Sequence, residues 1–251
     1  MRMFRAVSSC LIAVFVLFAN APDARAQAKA NDEYRFIVDV AVGIDTSING
    51  NVNSGAIGHL QGLATAILPN PYGKVYGTGI QLRFGAGYKL DDLNEARLIF
   101  AYQSADADLV RMGDIGISSL YGQYSDYKSI GLDFGFRRYF PTSKPEARFF
   151  GEATIGAAFI DRINILLAAP QGNLVFNQTD FYDATGAFTW SISGGVVFKV
   201  AKQADLTAQI GLRHVGGLSE VDQFAGTGLE TINADSARLT FPVVVGVRFR
   251  F

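Results

Sequence analysis

Two histidines, together with arginines and carboxylates at alternating positions, are the residues of this chain whose types suit chemistry. The histidines are His59 and His214, and no H-E-x-x-H zinc motif surrounds either one. Ser219 and Glu220 follow His214, but at a spacing that matches no catalytic motif, and a lone histidine lacks the oriented partner that nucleophilic catalysis needs. The sequence therefore predicts no catalytic, cofactor or metal site and an interfacial role for His214. A lipid-modifying hydrolase that uses His214 or His59 is the enzymatic alternative.

The start of the chain has the features of an export signal. Met1 to Ala26 begins with Arg2 and Arg5, continues with an apolar stretch over residues 11–19, and ends in A-R-A. This order is typical of a cleaved secretory signal peptide, and the apolar stretch is too short to span a membrane. The only cysteine, Cys10, lies inside this signal. The mature chain is therefore predicted to be residues 27–251, a single domain without thiol, disulfide or thiolate metal site.

Composition excludes one class of partner and leaves room for a membrane protein. Hydrophobic residues make up 49% of the chain and charged residues 18%. Residues 27–251 carry 19 Lys and Arg against 22 Asp and Glu, a net charge of −3. A slightly acidic chain gives no reason to expect nucleic acid as a partner.

Strict alternation of apolar and polar residues is the dominant pattern of the mature chain. It is clearest in the ending PVVVGVRFRF, where one parity is wholly apolar and the other carries Arg248 and Arg250. A period of two residues indicates a strand with two different faces. Eight segments show it, at residues 34–45, 80–90, 98–102, 130–137, 148–160, 188–200, 206–213 and 241–251.

The connections between these segments alternate between long and short. This order predicts an all-β fold, an antiparallel up-and-down barrel of eight strands with short periplasmic turns and long extracellular loops. Two loop stretches are unusually apolar. Residues 56–68 are predicted to form either a short helix or an outward continuation of the first two strands, and residues 164–176 to extend the fifth and sixth. Pairing of these stretches would give a ten-strand barrel instead.

The aromatic residues indicate which medium covers the apolar face. A secreted soluble barrel would bury that face inside, whereas a bilayer favours two aromatic belts around an aliphatic band. The predicted belt at the short-turn end contains Tyr34, Phe36, Tyr88, Phe136 and Phe198, and the belt at the other end contains Phe188, Trp190 and Phe241.

The polar face carries long charged side chains among many glycines. An eight-strand barrel has an interior that side chains fill, and desolvated charges there must be paired. The sequence therefore predicts a plugged, ion-paired interior. Its members are Arg35, Asp39, Arg83, Asp133, Arg137, Glu152, Arg213 and Arg248.

The signal, the eight amphipathic segments and the ending V-G-V-R-F-R-F make the chain resemble the small outer-membrane β-barrels of Gram-negative bacteria. This family is the outer-membrane-protein-A/X-like group, often described as the porin family. The resemblance implies that the barrel-assembly machinery reads Val247, Phe249 and Phe251 as an insertion signal. It covers the mature chain, without the C-terminal peptidoglycan-binding domain of the two-domain members.

The resemblance and the pattern together predict a location and a role. The expected location is the cell outer membrane, with its lipids and lipopolysaccharide as partners and with an extracellular surface partner for the loops. The expected role is non-enzymatic, in envelope integrity or surface interaction, with no cofactor. A narrow porin-like channel for small solutes is the alternative function.

Overall fold

The computed structural model of the chain describes residues 34–141, 146–234 and 236–251. The predicted signal peptide, Met1 to Ala26, lies outside the described residues. Within the described part of the chain, no helix is both long enough and apolar enough to cross a membrane.

Eight strands close into an antiparallel barrel. Strands are numbered in chain order over the whole described chain, and the barrel order is β1-β18-β16-β15-β11-β10-β7-β6. Their bounds are β1 Phe36–Asn49, β6 Thr78–Lys89, β7 Asn94–Ala105, β10 Tyr127–Tyr139, β11 Ala147–Ile160, β15 Thr185–Lys199, β16 Ala204–Val215 and β18 Arg238–Arg250. The predicted eight-strand barrel is confirmed, and the ten-strand alternative is wrong.

The barrel closes between its first and last strands. β1 pairs with β18 from Ile37, opposite Arg250, onward. Beyond the last paired residue, Phe251 N–H donates to the carbonyl of Phe36 at 2.8 Å, and Phe36 N–H donates back to Phe251 O at 3.1 Å. The terminal residue is thereby fixed by backbone bonds, and the barrel leaves no free sheet edge.

The long connections form a second sheet instead of lengthening the barrel strands. Its order is β17-β14-β12-β9-β8-β4-β3, with β13 beside β12, and β2 pairs separately with β5. The bounds are β2 Asn51–Asn53, β3 Ala56–Leu60, β4 Leu63–Ile67, β5 Asn70–Pro71, β8 Leu109–Ile115, β9 Ser118–Tyr124, β12 Ile163–Ala169, β13 Leu174–Val175, β14 Thr179–Asp183 and β17 Ser219–Glu220. A short helix, α1, spans Tyr72–Val75, and 3₁₀ turns span Pro170–Gly172 and Asp222–Phe224. We call this outer unit the cap.

The loop predictions were wrong in the same way. Residues 56–68 form the hairpin of β3 and β4, and residues 164–176 contain most of β12 and all of β13, with a 3₁₀ turn between them. These strands pair with strands from other connections, as β4 does with β8 and β12 with β9. Neither stretch is a helix, and neither continues a barrel strand. The sequence pattern of one connection does not indicate which other connection its strands pair with.

The last connection bridges the two edges of the cap sheet. His59 N–H on β3 donates to Thr227 O at 2.7 Å, and Ser54 N–H donates to Ile232 O at 2.8 Å. The amide of Asn233 donates to the carbonyls of Phe181 and Val221, each at 3.1 Å. The cap is therefore wrapped around its own apolar core. The core is fully buried and includes Val52, Val75, Leu120, Ile163, Phe181, Tyr182 and Leu229.

Candidate functional site

Glu152 is the centre of the barrel interior. It lies on β11, and its side chain is completely buried. Its carboxylate accepts from Nη2 of Arg137 at 2.8 Å, from Nη1 of Arg97 at 3.1 Å and from Nε2 of Gln209 at 3.0 Å. Nη2 of Arg83 lies 3.5 Å away. The donors come from β10, β7, β16 and β6, so a single carboxylate connects strands on opposite sides of the lumen.

Two further ion pairs are linked to Glu152 through Arg97. Arg97 also pairs with Asp39, and Arg248 pairs with Glu95 while donating to the hydroxyl of Tyr139. The charged side chains of these pairs are almost fully buried. Because an unpaired buried ion costs several kcal/mol, this pairing is a condition for the interior to exist at all.

A separate pair lies further toward the cap. Asp133 on β10 has Nη2 of Arg213 at 3.5 Å and accepts from the hydroxyl of Thr189 at 2.6 Å. This group joins β10 to β16 and β15. Charged contacts therefore cross the lumen at more than one height.

Glycines supply the space that these side chains occupy. A methyl group built on Gly85 would lie 2.5 Å from Nη2 of Arg97 and 2.5 Å from Oδ1 of Asp39. One built on Gly156 would lie 2.5 Å from Oδ1 of Asp133. A residue with a Cβ at either position would displace an ion pair, so the glycines and the long charged residues depend on each other.

The interior includes residues that the sequence pattern missed and omits one that it named. Arg35 precedes β1 and is exposed, so its assignment to the interior network is corrected. Glu95 and Arg97 are buried in β7, which begins at Asn94 and not at residue 98. Both share the parity that faces inward, so extending the alternation by two steps toward the turn would have found them.

A third level of polar residues closes the outer end of the lumen. The guanidinium of Arg238 lies 3.9 Å from the ring centre of Tyr127 and 5.1 Å from that of Tyr72 on α1. It donates to Gln103 at 3.2 Å, and Gln103 donates to Asp45 at 2.9 Å. Arg238 thus connects the barrel to the cap mainly through aromatic faces, in contrast to the carboxylate-paired arginines deeper inside.

The cap core continues into the mouth of the barrel. Barrel residues Ala105, Tyr127, Ala158 and Ile160 belong to the same buried cluster as the cap residues. The mouth is therefore filled by apolar packing, and the plug has two chemically different parts.

Buried tyrosines in the cap are held in their neutral form. Burial raises the pKa of Tyr76 and of Tyr124 well above the ordinary value. Tyr76 donates to the carbonyl of Ser125 at 3.2 Å, and Tyr124 donates to Oδ1 of Asn53 at 3.0 Å. These hydroxyls join separate connections of the cap inside its core.

The short-turn end of the barrel has a cleft of about 170 Å³. Lys89, Arg148 and Asp92 contribute to its rim, and Glu95 and Arg248 line it from inside the barrel. The ion pair between the last two residues stands between this cleft and the lumen above it.

The exterior of the barrel is a band of exposed apolar side chains. Both predicted belts lie on it. Phe36, Tyr88, Phe136, Phe198, Phe188 and Phe241 are exposed, and Tyr34 and Trp190 are partly exposed. Phe84 and Phe100 are also exposed, at mid-strand, so the band between the belts is not purely aliphatic. Val247, Phe249 and Phe251 lie on the same exterior, with the two phenylalanines exposed.

Neither histidine belongs to the interior network. His59 is exposed on β3. His214 stacks on Trp190 with a centroid separation of 5.6 Å, while Ser219 donates to Thr185. Within residues 34–141, 146–234 and 236–251, no three His, Cys, Asp or Glu side chains are grouped as metal ligands.

The fold and this interior define a class of protein. Charged pairs fill the tube and apolar side chains cover its outside, the reverse of a soluble barrel, and this is the arrangement that lipid around a closed antiparallel barrel selects. The chain is therefore an eight-stranded membrane β-barrel with buried internal ion pairs.

Solved bacterial outer-membrane barrels are similar to this chain. Neisserial surface protein A is 14% identical over 86% of this chain and 97% of that chain, with a TM-score of 0.44. OprG from Pseudomonas aeruginosa is 10% identical over 88% and 98%, with a TM-score of 0.47. Ail of Yersinia pestis, solved with the heparin analogue sucrose octasulfate, is 9% identical over 86% and 99%, with a TM-score of 0.37. No protein-family model and no curated protein matches the sequence. These likenesses concern the architecture alone.

Proposed function

We propose that this protein is a non-conducting β-barrel of the Gram-negative outer membrane that acts through its cap, in surface interaction or envelope integrity. It has no catalytic step. The cap faces the exterior, the short turns face the periplasm, and lipopolysaccharide and outer-membrane lipids surround the barrel.

The observation that carries this proposal is the doubly filled lumen. Glu152 draws together side chains from four other strands, and the pair of Arg248 with Glu95 lies below that level. Above them, the barrel mouth is packed with the apolar core of the cap. Hydrated ions would have to break buried ion pairs and also displace an apolar core, and both steps are costly.

Planar-bilayer recording tests the non-conducting part of the proposal. Purified protein is expected to insert without stable single-channel currents. A double variant, Arg97→Ala with Glu152→Ala, removes two long side chains from one level of the lumen but leaves the cap, and it is expected to stay closed. Steady channels from the unaltered protein would instead support the porin-like alternative.

The C-terminal residues Val247, Phe249 and Phe251 are proposed to be read by the barrel-assembly machinery. Their support is an exposed apolar row at the closing strand, whose last residue is fixed by backbone bonds to Phe36. Deleting Phe251 is expected to lower the amount of heat-modifiable barrel in an outer-membrane fraction. Refolding of the same variant from urea into lipid vesicles should remain efficient, because no machinery takes part there. Unchanged assembly in cells would contradict this role.

A further inference from the structure

The outward face of the cap sheet is unusually apolar for a surface in water. Large apolar side chains stand exposed on four of its strands and at one hairpin tip, and several are more than half exposed. They are Ile57 (83%), Leu109 (64%), Ile117, Leu166 and Val175 (73%). We call this face the outer wall of the cap.

Leu109 and Leu166 share one face of the sheet, with the polar Gln123 between them. Leu109 on β8 stands opposite Gln123 on β9, which stands opposite Leu166 on β12. Large apolar side chains that stand exposed on one surface among polar residues are a feature of surfaces that bind a partner. The other face of the same strands is already used, because it forms the cap core.

Charge decides what kind of partner suits this wall. The four connections that build the cap, residues 50–77, 106–126, 161–184 and 216–237, contain eleven Asp and Glu but only three Lys and Arg. Two of the three basic residues are already neutralised, since Arg111 pairs with Asp114 at 2.7 Å and Arg162 with Asp180 at 2.9 Å. The cap is thus strongly acidic on a chain whose net charge is only −1.

Part of this acidity lies directly beside the wall. Asp106 and Asp108 directly precede β8, which begins at Leu109, and both are exposed. Asp126 follows β9, and its carboxylate accepts from the backbone N–H of Ala107 at 3.3 Å, so it faces the same junction. These three carboxylates lie near the edge of the outer wall of the cap that is closest to the barrel.

We infer that the outer wall of the cap docks a cationic amphipathic polypeptide, with its apolar side chains on Leu109 and Leu166 and its Lys or Arg side chains on the aspartates below. This deepens the surface role proposed above and rests on it. A second copy of the chain fits less well, because it would bring acidic edges together, and like charges facing each other at an interface are costly. A polyanion would meet the same repulsion.

Binding to the full mature protein in phosphatidylcholine vesicles tests the inference. The probe is a fluorescent peptide built from Lys and Leu, and binding to empty vesicles is subtracted. Two matched peptides serve as controls, one with Glu in place of Lys and one with Ser in place of Leu. Only the Lys-Leu peptide should bind, and its affinity should fall as salt rises from low to physiological concentration.

Three double variants locate the site. Asp106→Asn with Asp108→Asn, and separately Leu109→Ser with Leu166→Ser, are each expected to weaken binding about tenfold, equivalent to about 1.4 kcal/mol. Glu220→Gln with Asp222→Asn removes two exposed carboxylates near the opposite edge of the sheet and should change the affinity less than about twofold. Unchanged heat-modifiable migration on gels verifies that the barrel of each variant is folded, and an unchanged pattern of limited proteolysis verifies that its cap is folded.

Several outcomes would overturn the inference. These are absent binding of the Lys-Leu peptide, equal binding of either control peptide, or an equal loss in all three double variants. Cross-linked dimers of the chain that disappear with Leu109→Ser and Leu166→Ser would assign the wall to a second copy instead. None of these results would bear on the bilayer recordings, so a failure of the docking site is distinguishable from a failure of the barrel's proposed role.

Discussion

The barrel and the cap are built from strands of one chain, yet they bury opposite kinds of residue. The barrel encloses Glu152 and its arginines and exposes Leu and Phe. The cap encloses Phe181 and Leu229 and has its charged residues on the surface. The difference follows from the medium. A sheet buries the side chains that its surroundings solvate poorly. Lipid solvates ions poorly and water solvates apolar groups poorly, so the barrel and the cap bury opposite kinds of residue.

The inward face changes from ionic to apolar along single barrel strands. On β7 the inward residues run from Glu95 and Arg97 to Gln103 and then to Ala105, which belongs to the cap core. On β11 they run from Glu152 through Thr154 to Ala158 and Ile160. Each of these two strands carries charged inward residues nearer the short turns and apolar ones at its cap end, while the alternation of the backbone continues unchanged.

Removing the carboxylate at the centre of the ionic network should cause the largest loss of stability. Glu152→Ala leaves three arginines around an empty position, and loss of one partner from a buried ion pair costs about 3–5 kcal/mol. Urea unfolding in lipid vesicles should report a loss of this size. Glu220→Ala, on the exposed edge of the cap, is the matched control and should change stability by less than about 0.5 kcal/mol. Equal effects would refute the central role of Glu152.

Removing a large apolar side chain from the cap core should cause a large loss of stability that is confined to the cap. Phe181 is fully buried against Tyr124, Tyr182 and Phe224, so Phe181→Ala should cost the cap about 3 kcal/mol. Limited proteolysis should then cut the cap connections, while the heat-modifiable gel shift of the barrel persists. Loss of that gel shift would mean that the cap and the barrel form one cooperative unit.

The two kinds of buried arginine give a sharper comparison. Arg97→Met should cost about 3 kcal/mol, because the carboxylates of Asp39 and Glu152 each lose a partner. Arg238→Met should cost about 1 kcal/mol or less, since this arginine has aromatic faces and Gln103 as neighbours, and a neutral side chain avoids burying a charge. Parallel urea titrations compare the two variants. A larger loss for Arg238→Met would show that its cation–π contacts outweigh the ion pairs.

The smallest expected effect is a pH dependence confined to the cap. Burial raises the pKa of Tyr76 and Tyr124, so folding favours their neutral form. The stability that this preference gives is present below the unfolded pKa of about 10 and is lost as the pH rises through the folded value. Phenolate absorbance should therefore rise late and together with proteolytic opening of the cap. Tyr76→Phe should reduce the late phase, and an unchanged late phase would contradict the assignment.

Sequence periodicity predicted the barrel well because the local pattern and the medium act on each strand separately. It placed Asp39, Asp133 and Glu152 on the inward face from their parity alone. It failed for Arg35, which shares that parity but lies beyond the first strand, where no wall encloses it. Alternate positions define an inward and an outward face only where a neighbouring strand pairs with the segment.

The cap could not be predicted in this way because its order depends on pairing between distant connections. The pairing of Leu166 with Gln123, or the bond from His59 to Thr227, leaves no mark in either stretch alone. The apolar composition of residues 56–68 and 164–176 did signal burial. It did not reveal that the covering material is the rest of the cap.

The inversion of polarity in the barrel is tested most directly by the fluorescence of Trp190, the only tryptophan of the chain. The protein would be placed in vesicles whose acyl chains carry bromine at different depths, alongside a Trp190→Phe variant that carries Leu132→Trp on the mid-strand exterior. We predict that shallow bromines quench Trp190, that deep bromines quench the Leu132→Trp probe, and that aqueous iodide quenches neither strongly. Strong iodide quenching of both positions, with no effect of lipid bromine, would place the apolar exterior of the barrel in water and contradict the account.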